Sequence, residues 1–345
     1  MPITSNRVRT TRIDTHYLQQ GGGDAAVVLI HGFPQTSHQW RHQIAALADA
    51  GYAVFAPDNR GFGGTDKPGA RVSRAMLADD VIAFLDATGV GSCTLVGHDW
   101  GGIIAFKTAI DHPDRITRLA LLDTLCTVWS PPAVHGYWFK AEGLGEAFFD
   151  SHHADFIKVL FGGADAAVLG TRPASPWSVP GGMRPRPSWI SDDDLSTYVR
   201  AFSDPESWAH AISYYRYALP FHIVEGEGAS ETYRSLSERQ VAEMWLHPDG
   251  LEQHPRFANF LDYGPDDRQK RYPHPTLWLY GSYLGRSLSD GSSSARIPTG
   301  NPFVDQFSRY FPDLRSRSID AGHFLGEEAP AAVNESLLAF LSGGL

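Results

Sequence analysis

Val96-Gly97-His98-Asp99-Trp100-Gly101-Gly102 joins an apolar run, Cys93 to Val96, to a second apolar stretch that opens at Ile103. The first run has the length and composition of a strand buried on both faces, and the second those of a helix. Glycines two positions before and after Asp99 give the form G-x-Nuc-x-G, a sharp strand-to-helix turn that presents one side chain at the carboxyl edge of a sheet. Here that side chain is a carboxylate, where esterases and lipases carry serine. A carboxylate can attack an alkyl carbon and form an ester that water then cleaves. The helix amino terminus beside it favours the ionised form. An ordinary N-cap Asp on a glycine-bearing turn is the plain alternative.

Outward from this turn, strand-length apolar runs alternate with amphipathic stretches. Ala25 to Ile30, Tyr52 to Ala56, Cys93 to Val96 and Leu119 to Leu122 read as buried strands, and Gln43 to Ala50 and Arg74 to Thr88 as helices. Such alternation predicts an α/β fold with a mostly parallel central sheet and helices on both faces. After Asp123 the pattern breaks into sequence rich in Trp, Tyr, Phe, Pro and Gly. Buried-strand character returns at Thr276 to Tyr280, Leu314 to Ile319 reads as a last strand, and a closing helix is predicted over Ala331 to Leu341. The expectation is a core of residues 1–128 and 263–345, with an inserted helical cap over 129–262. Within the cap, Thr171 to Ser188 and Glu225 to Ala229 read as loops.

Two further segments carry chemistry. His31-Gly32-Phe33-Pro34 closes the first core strand, where the amides of Phe33 and Trp100 can face each other across the turn as an oxyanion hole. The His31 side chain reads as hydrogen-bonded within its own tight turn, and it is also carried as a substrate-binding candidate. Asp320-Ala321-Gly322-His323-Phe324-Leu325 follows the last strand, with Glu327 and Glu328 behind it. His323 there is the expected general base, and its late position fits the order nucleophile, acid, histidine.

These segments, with Asp58-Asn59-Arg60-Gly61-Phe62-Gly63, resemble the α/β-hydrolase superfamily and its Asp-nucleophile branch of epoxide hydrolases, haloalkane dehalogenases and haloacetate dehalogenases. The resemblance covers Ala25 to about Thr124 and Pro275 to the end, and is weaker across the cap. It implies an α/β-hydrolase fold and an acid that orients His323. Many relatives place that acid after the strand following the cap, but Tyr280-Gly281-Ser282-Tyr283-Leu284-Gly285-Arg286 holds none. Asp123 stands where haloacetate dehalogenases and Cif-like epoxide hydrolases have theirs, with Asp290 and Asp320 as alternatives.

Whether the leaving group is an epoxide oxygen or a halide turns on the cap, since the first needs a proton and the second N–H donors in an apolar pocket. Tyr215, in Ser213-Tyr214-Tyr215-Arg216-Tyr217, matches the proton-donating cap tyrosine of epoxide hydrolases, although haloacetate dehalogenases keep a Tyr there too. Its partner is His135 or Tyr137, while Trp138 and Tyr214 are candidates for substrate contact. Trp100 matches the halide-binding indole of haloalkane dehalogenases, and many epoxide hydrolases share it. The arginines with which haloacetate dehalogenases clamp a carboxylate are absent beside Asp99. The expected reaction is epoxide to vicinal diol through an ester on Asp99, with dehalogenation or a non-catalytic ligand-binding role as alternatives. The long stretch between Tyr215 and Thr276 points to a bulky substrate.

Bulk composition excludes several classes. With 29 basic against 39 acidic residues and a net charge of −10, the chain has no electrostatic footprint for nucleic acid. Cys93 and Cys126 read as two reduced core thiols. Met1 to Gln20 lacks the apolar run of a secretory signal, and no long apolar segment predicts a membrane span. His152, His153 and Asp155 have no spacing suited to zinc. The expectation is a cytoplasmic hydrolase needing no cofactor or metal, acting on a small-molecule epoxide, apart from membranes, with a homodimer compatible.

Overall fold

Eight strands form one sheet in the order β1-β2-β4-β3-β5-β6-β7-β8 in a computed structural model. It describes residues 2–69, 71–124, 139, 142–161, 188–218, 267–281, 307–308 and 310–345. The strands are β1 Thr4–Arg9, β2 Asp14–Gln20, β3 Ala26–Ile30, β4 Ala53–Pro57, β5 Cys93–His98, β6 Ile116–Leu122, β7 Thr276–Gly281 and β8 Leu314–Ile319. From β4 onward every pairing is parallel, whereas β1 and β2 form an antiparallel edge.

The inner strands are apolar because both of their faces are covered. Along β3, Val28 and Ile30 face one apolar layer and Val27 and Leu29 the other, and β6 divides Leu119 and Leu121 from Ala120 and Leu122 in the same way. Helices α1 (Arg41–Asp49) and α8 (Pro330–Leu341) cover one face through Ile44, Leu47, Leu337 and Phe340. Helices α2 (Arg74–Ala87) and α3 (Trp100–Asp111) cover the other through Leu77, Val81, Phe84, Ile104 and Phe106. Cys93 lies in this second layer, where burial pushes its thiol up to about 12. Cys126 lies outside the described residues.

Between β6 and β7 the chain adds α4 (Leu144–Leu160), α5 (Asp192–Ala201), α6 (Pro205–Ser213) and a π-helical turn over Tyr214–Ala218. Ser191 and Asp194 form a reciprocal capping box on α5, and Asp204 caps α6, so local sequence starts both helices. The predicted loops Thr171 to Ser188, apart from Ser188, and Glu225 to Ala229 fall outside the described residues. The four-residue α7 (Leu325–Glu328) follows β8.

The sequence reading missed β1 and β2. Their residues are polar and mostly exposed or half-buried, since they edge the sheet, and so lack the apolar signature of the inner strands. Among the described residues no helix is long and apolar enough to cross a membrane.

Candidate active site

Every parallel strand of this sheet points its carboxyl end toward the same edge, and three loops at that edge bring chemistry together. Asp99 follows β5 with φ 51° and ψ −120° and opens α3. Gly97 and Gly101 make the turn feasible, because a Cβ on Gly97 would stand 2.2 Å from the Gly101 carbonyl oxygen, and one on Gly101 would stand 2.0 Å from that of Ile30. Asp123, after β6, has φ 40°. Among the described residues these two carboxylates are the only non-glycine positions with positive φ. Strain of this kind persists where neighbours fix it. Here the Asp99 amide donates to the Leu122 carbonyl (3.2 Å), the Thr124 hydroxyl to the Asp99 carbonyl (2.6 Å), and the Asp123 amide to the Leu279 carbonyl (2.8 Å).

His323 joins the two acids. Its Nδ1 lies 2.6 Å from Asp123 Oδ2, and its Nε2 lies 3.6 Å from Asp99 Oδ2. The second oxygen of Asp123 accepts the Gly281 amide (2.9 Å). The second oxygen of Asp99 accepts the Phe33 amide (2.8 Å), so one expected oxyanion donor points at the carboxylate of the expected nucleophile. The Asp99 side chain keeps 18% of its surface exposed and His323 keeps 11%, against 1% for Asp123. Thus Asp99 and His323 keep some accessible surface while Asp123 keeps almost none. Of the alternative acids, Asp320 is exposed and Asp290 lies outside the described residues.

Electrostatics follow from this pairing. Burial works to raise the Asp99 carboxyl, but the hydrogen bond and charge of His323, with the Phe33 amide, hold it below its ordinary value. Burial works to lower His323, but Asp123 and Asp99 overcome it and push the imidazole up to about 10. Burial also raises the Asp123 carboxyl, which strengthens its hold on the Nδ1 proton.

Above Asp99 the inserted helices supply an aromatic roof. The Tyr215 ring lies 5.1 Å from that of Trp100, 5.6 Å from Phe33 and 4.9 Å from Phe139, each edge-on. Burial, then the negative charge of Asp99, raises the Tyr215 phenol well above its ordinary value, so the phenol keeps its proton at neutral pH. A π-helical turn carries both Tyr214 and Tyr215. Tyr214 does not serve as the expected substrate contact: it is wholly buried, and its hydroxyl donates to the Arg60 carbonyl (2.8 Å). His31 is corrected likewise. Its ring is 0% exposed, Nδ1 donates to the Gly32 carbonyl (2.9 Å), and Nε2 accepts the Asn59 amide (2.9 Å), so both nitrogens serve the backbone. His135, Tyr137 and Trp138 lie outside the described residues.

One buried group escaped the sequence reading. Glu327 accepts hydrogen bonds from Gln35, Arg41 and the Tyr198 hydroxyl, and thereby ties α5 to the core. Burial outweighs these partners and raises its carboxyl to about 7. Asp194 of α5 adds contacts to His38 (2.7 Å) and Arg41 (3.3 Å). Among the described residues no group of three or more His, Cys, Asp or Glu side chains could hold a metal ion.

A positive-φ carboxylate at a strand-to-helix turn, a histidine from the last loop and a buried acid hydrogen-bonded to it form the arrangement expected of a hydrolase fold with an aspartate nucleophile. A family model described as alpha/beta hydrolase fold matches residues 25–159. Epoxide hydrolase A of Mycobacterium tuberculosis is 31% identical over 227 residues, covering 58% of this chain and 70% of that protein. An epoxide hydrolase of Caballeronia sordidicola is 31% identical over 271 residues, covering 71% and 78%. The structure of epoxide hydrolase A from Mycobacterium thermoresistibile superposes with a TM-score of 0.67 at 24% identity, covering 99% of both chains. The chain belongs to the α/β-hydrolase superfamily.

Proposed function

We propose that this protein hydrolyses a small-molecule epoxide to a vicinal diol through an ester on Asp99, with the insertion over 129–262 acting as its cap. The observation that carries the reading is Tyr215, a protonated phenol roofing the nucleophile beside Trp100. The similarity to proteins named epoxide hydrolases supports it.

In the first step an Asp99 oxygen forms a bond to an epoxide carbon, the C–O bond of the ring breaks, and the ring oxygen takes the phenol proton of Tyr215. In the second, His323 Nε2 takes a proton from water and the hydroxide attacks the ester carbonyl carbon of Asp99. The Phe33 amide, with that of Trp100 at the start of α3, holds the oxyanion. Collapse releases the diol, whose departing oxygen takes the proton from His323, and the proton left on the Asp99 acid then passes to the imidazole and restores the resting carboxylate. Forming the ester also removes one of the two charges that raise the imidazole, so His323 gives up its extra proton more readily when a base is needed. The proton it sheds balances the one Tyr215 must recover through solvent. No cofactor enters these steps, and the buried Cys93 thiol suits a cytoplasmic setting.

Repeated turnover of styrene-type and larger ring-bearing epoxides in heavy-oxygen water is expected to label the peptide that contains Asp99. An unlabelled peptide despite diol formation would exclude the ester. A second reading, dehalogenation, draws on the Trp100 indole, which is buried beside the Tyr215 phenol and whose N–H could receive a halide. A parallel panel of bromoalkanes tests it, with halide release as the readout.

Tyr215→Phe separates the two leaving groups. Ester formation from epoxides is expected to fall about 100-fold or more in rapid-quench measurements, with the later hydrolysis little changed. A variant that opened epoxides at the unaltered rate would remove Tyr215 from the mechanism.

A further inference from the structure

The turn Gly322-His323-Phe324 between β8 and α7 is held at three consecutive residues by their backbone. Glu328 accepts the Gly322 amide through Oε2 (2.7 Å) and the Phe324 amide through Oε1 (2.8 Å), gripping the chain on both sides of the base. His98 Nε2 donates to the His323 carbonyl between them (2.8 Å). His98 ends β5, directly before Asp99, so this bond ties the nucleophile's strand to the turn that carries the base. The two imidazole rings lie 4.8 Å apart. Burial, then the charge of His323, lowers His98 to about 3, which leaves it neutral.

The grip is shaped for a carboxylate. Two acceptor oxygens on one rigid group meet two N–H donors that flank a single residue, an arrangement a neutral amide cannot repeat, because one of its ends is itself a donor. Gly322 admits it, since a Cβ there would lie 2.9 Å from both Glu328 oxygens. The triad contacts of His323 fix its ring, but with these backbone bonds lost the whole turn can shift, and Nε2 with it. At 3.6 Å from Asp99 Oδ2 the imidazole must direct a water onto one carbon atom. A misplacement of about 1 Å can cost about 100-fold in rate.

We propose that Glu328, braced by His98, is the positioning residue for the general base, setting the backbone of His323 so that Nε2 aims water at the ester of Asp99. The assignment rests on His323 acting in ester hydrolysis, as proposed above.

The full-length Glu328→Gln protein tests it in single-turnover rapid-quench measurements with styrene oxide and trans-stilbene oxide. Ester formation is expected to stay within about twofold of wild type, while ester hydrolysis falls roughly ten- to a hundredfold. The melting temperature is expected to move by only about 3 °C. Glu328→Asp keeps the charge but loses the reach to both amides, and is expected to show the same split. Equal losses in both steps, or hydrolysis at the wild-type rate, would overturn the proposal. If Glu328→Gln does not fold, His98→Leu removes the carbonyl bond alone and is read in the same way. Should neither epoxide leave an ester on the wild-type protein, the failure lies with the functional reading, and a substrate-free measurement decides for Glu328. The His323 Nδ1 proton is then expected to be sharp in wild-type NMR spectra and broadened by exchange in Glu328→Gln; an unchanged resonance would overturn the proposal.

Discussion

A His323→Gln protein incubated with an epoxide substrate is expected to gain the mass of the whole epoxide, one molecule per chain, and to stop there. Attack by Asp99 needs its own carboxylate and the proton of Tyr215, neither of which His323 supplies. The second step needs a base for water, and a glutamine side chain takes up no proton at neutral pH. Loss of general-base catalysis costs about 100- to 10,000-fold, so the ester outlives the measurement. The pH dependence gives a second reading. His323 lowers the Asp99 carboxyl against the opposing effect of burial, so its removal lets that carboxyl rise. The acid limb of ester formation therefore moves to higher pH in the variant. Asp99→Asn should gain no mass under the same conditions. Diol production by His323→Gln at the wild-type rate would remove this histidine from the mechanism, and an alkyl adduct from bromoalkanes, without halogen, would favour the dehalogenase reading.

The residues of this mechanism differ in how plainly the sequence announces them. Asp99 sits where an apolar strand meets glycine, and His323 follows a glycine just past the last strand, so that local grammar can be read from a few residues. Asp123 has no such frame. Resemblance placed it, and the structure gives the physical reason, since positive φ turns its side chain off the end of β6 and between His323 and the Gly281 amide. Conversely, His31 and Tyr214 have the residue types of a binding site but spend their polar atoms on backbone partners at 28 and 154 positions' separation. Glu327 is the extreme case. Its partners Gln35 and Arg41 lie 292 and 286 positions away, and only the closing of α7 against α1 brings them together. Similar distance in sequence hid the grip of His98 on the His323 carbonyl, 225 positions on. Side chains that hold backbone leave no periodic trace, whereas strands covered on both faces do, and the sheet was therefore easier to read than its fastenings.

Asp123→Asn is expected to leave the fold in place and to slow ester hydrolysis by about 10,000-fold, or about 5.5 kcal/mol in the barrier. Once the ester has formed in the wild-type protein, Asp123 Oδ2 accepts the Nδ1–H hydrogen bond of His323 and so leaves Nε2 as the nitrogen that can take a proton from water. Asparagine can keep its oxygen on the Gly281 amide only by turning its NH2 group toward Nδ1. The imidazole then carries its proton on Nε2 and has no lone pair to offer water. The raised basicity of His323 also depends on Asp123, whose hydrogen bond and charge oppose the lowering effect of burial. With that support gone the imidazole titrates at lower pH, so at neutral pH the variant holds a neutral base in the wrong tautomer. Raising the pH should not restore that base, but it supplies hydroxide from solvent. The residual hydrolysis is therefore expected to climb with pH across the range in which the wild-type rate is flat. Rapid-quench decay of the Asp99 ester as a function of pH checks both statements. A loss smaller than about tenfold would mean that another acid orients His323, with Asp290 the next to replace.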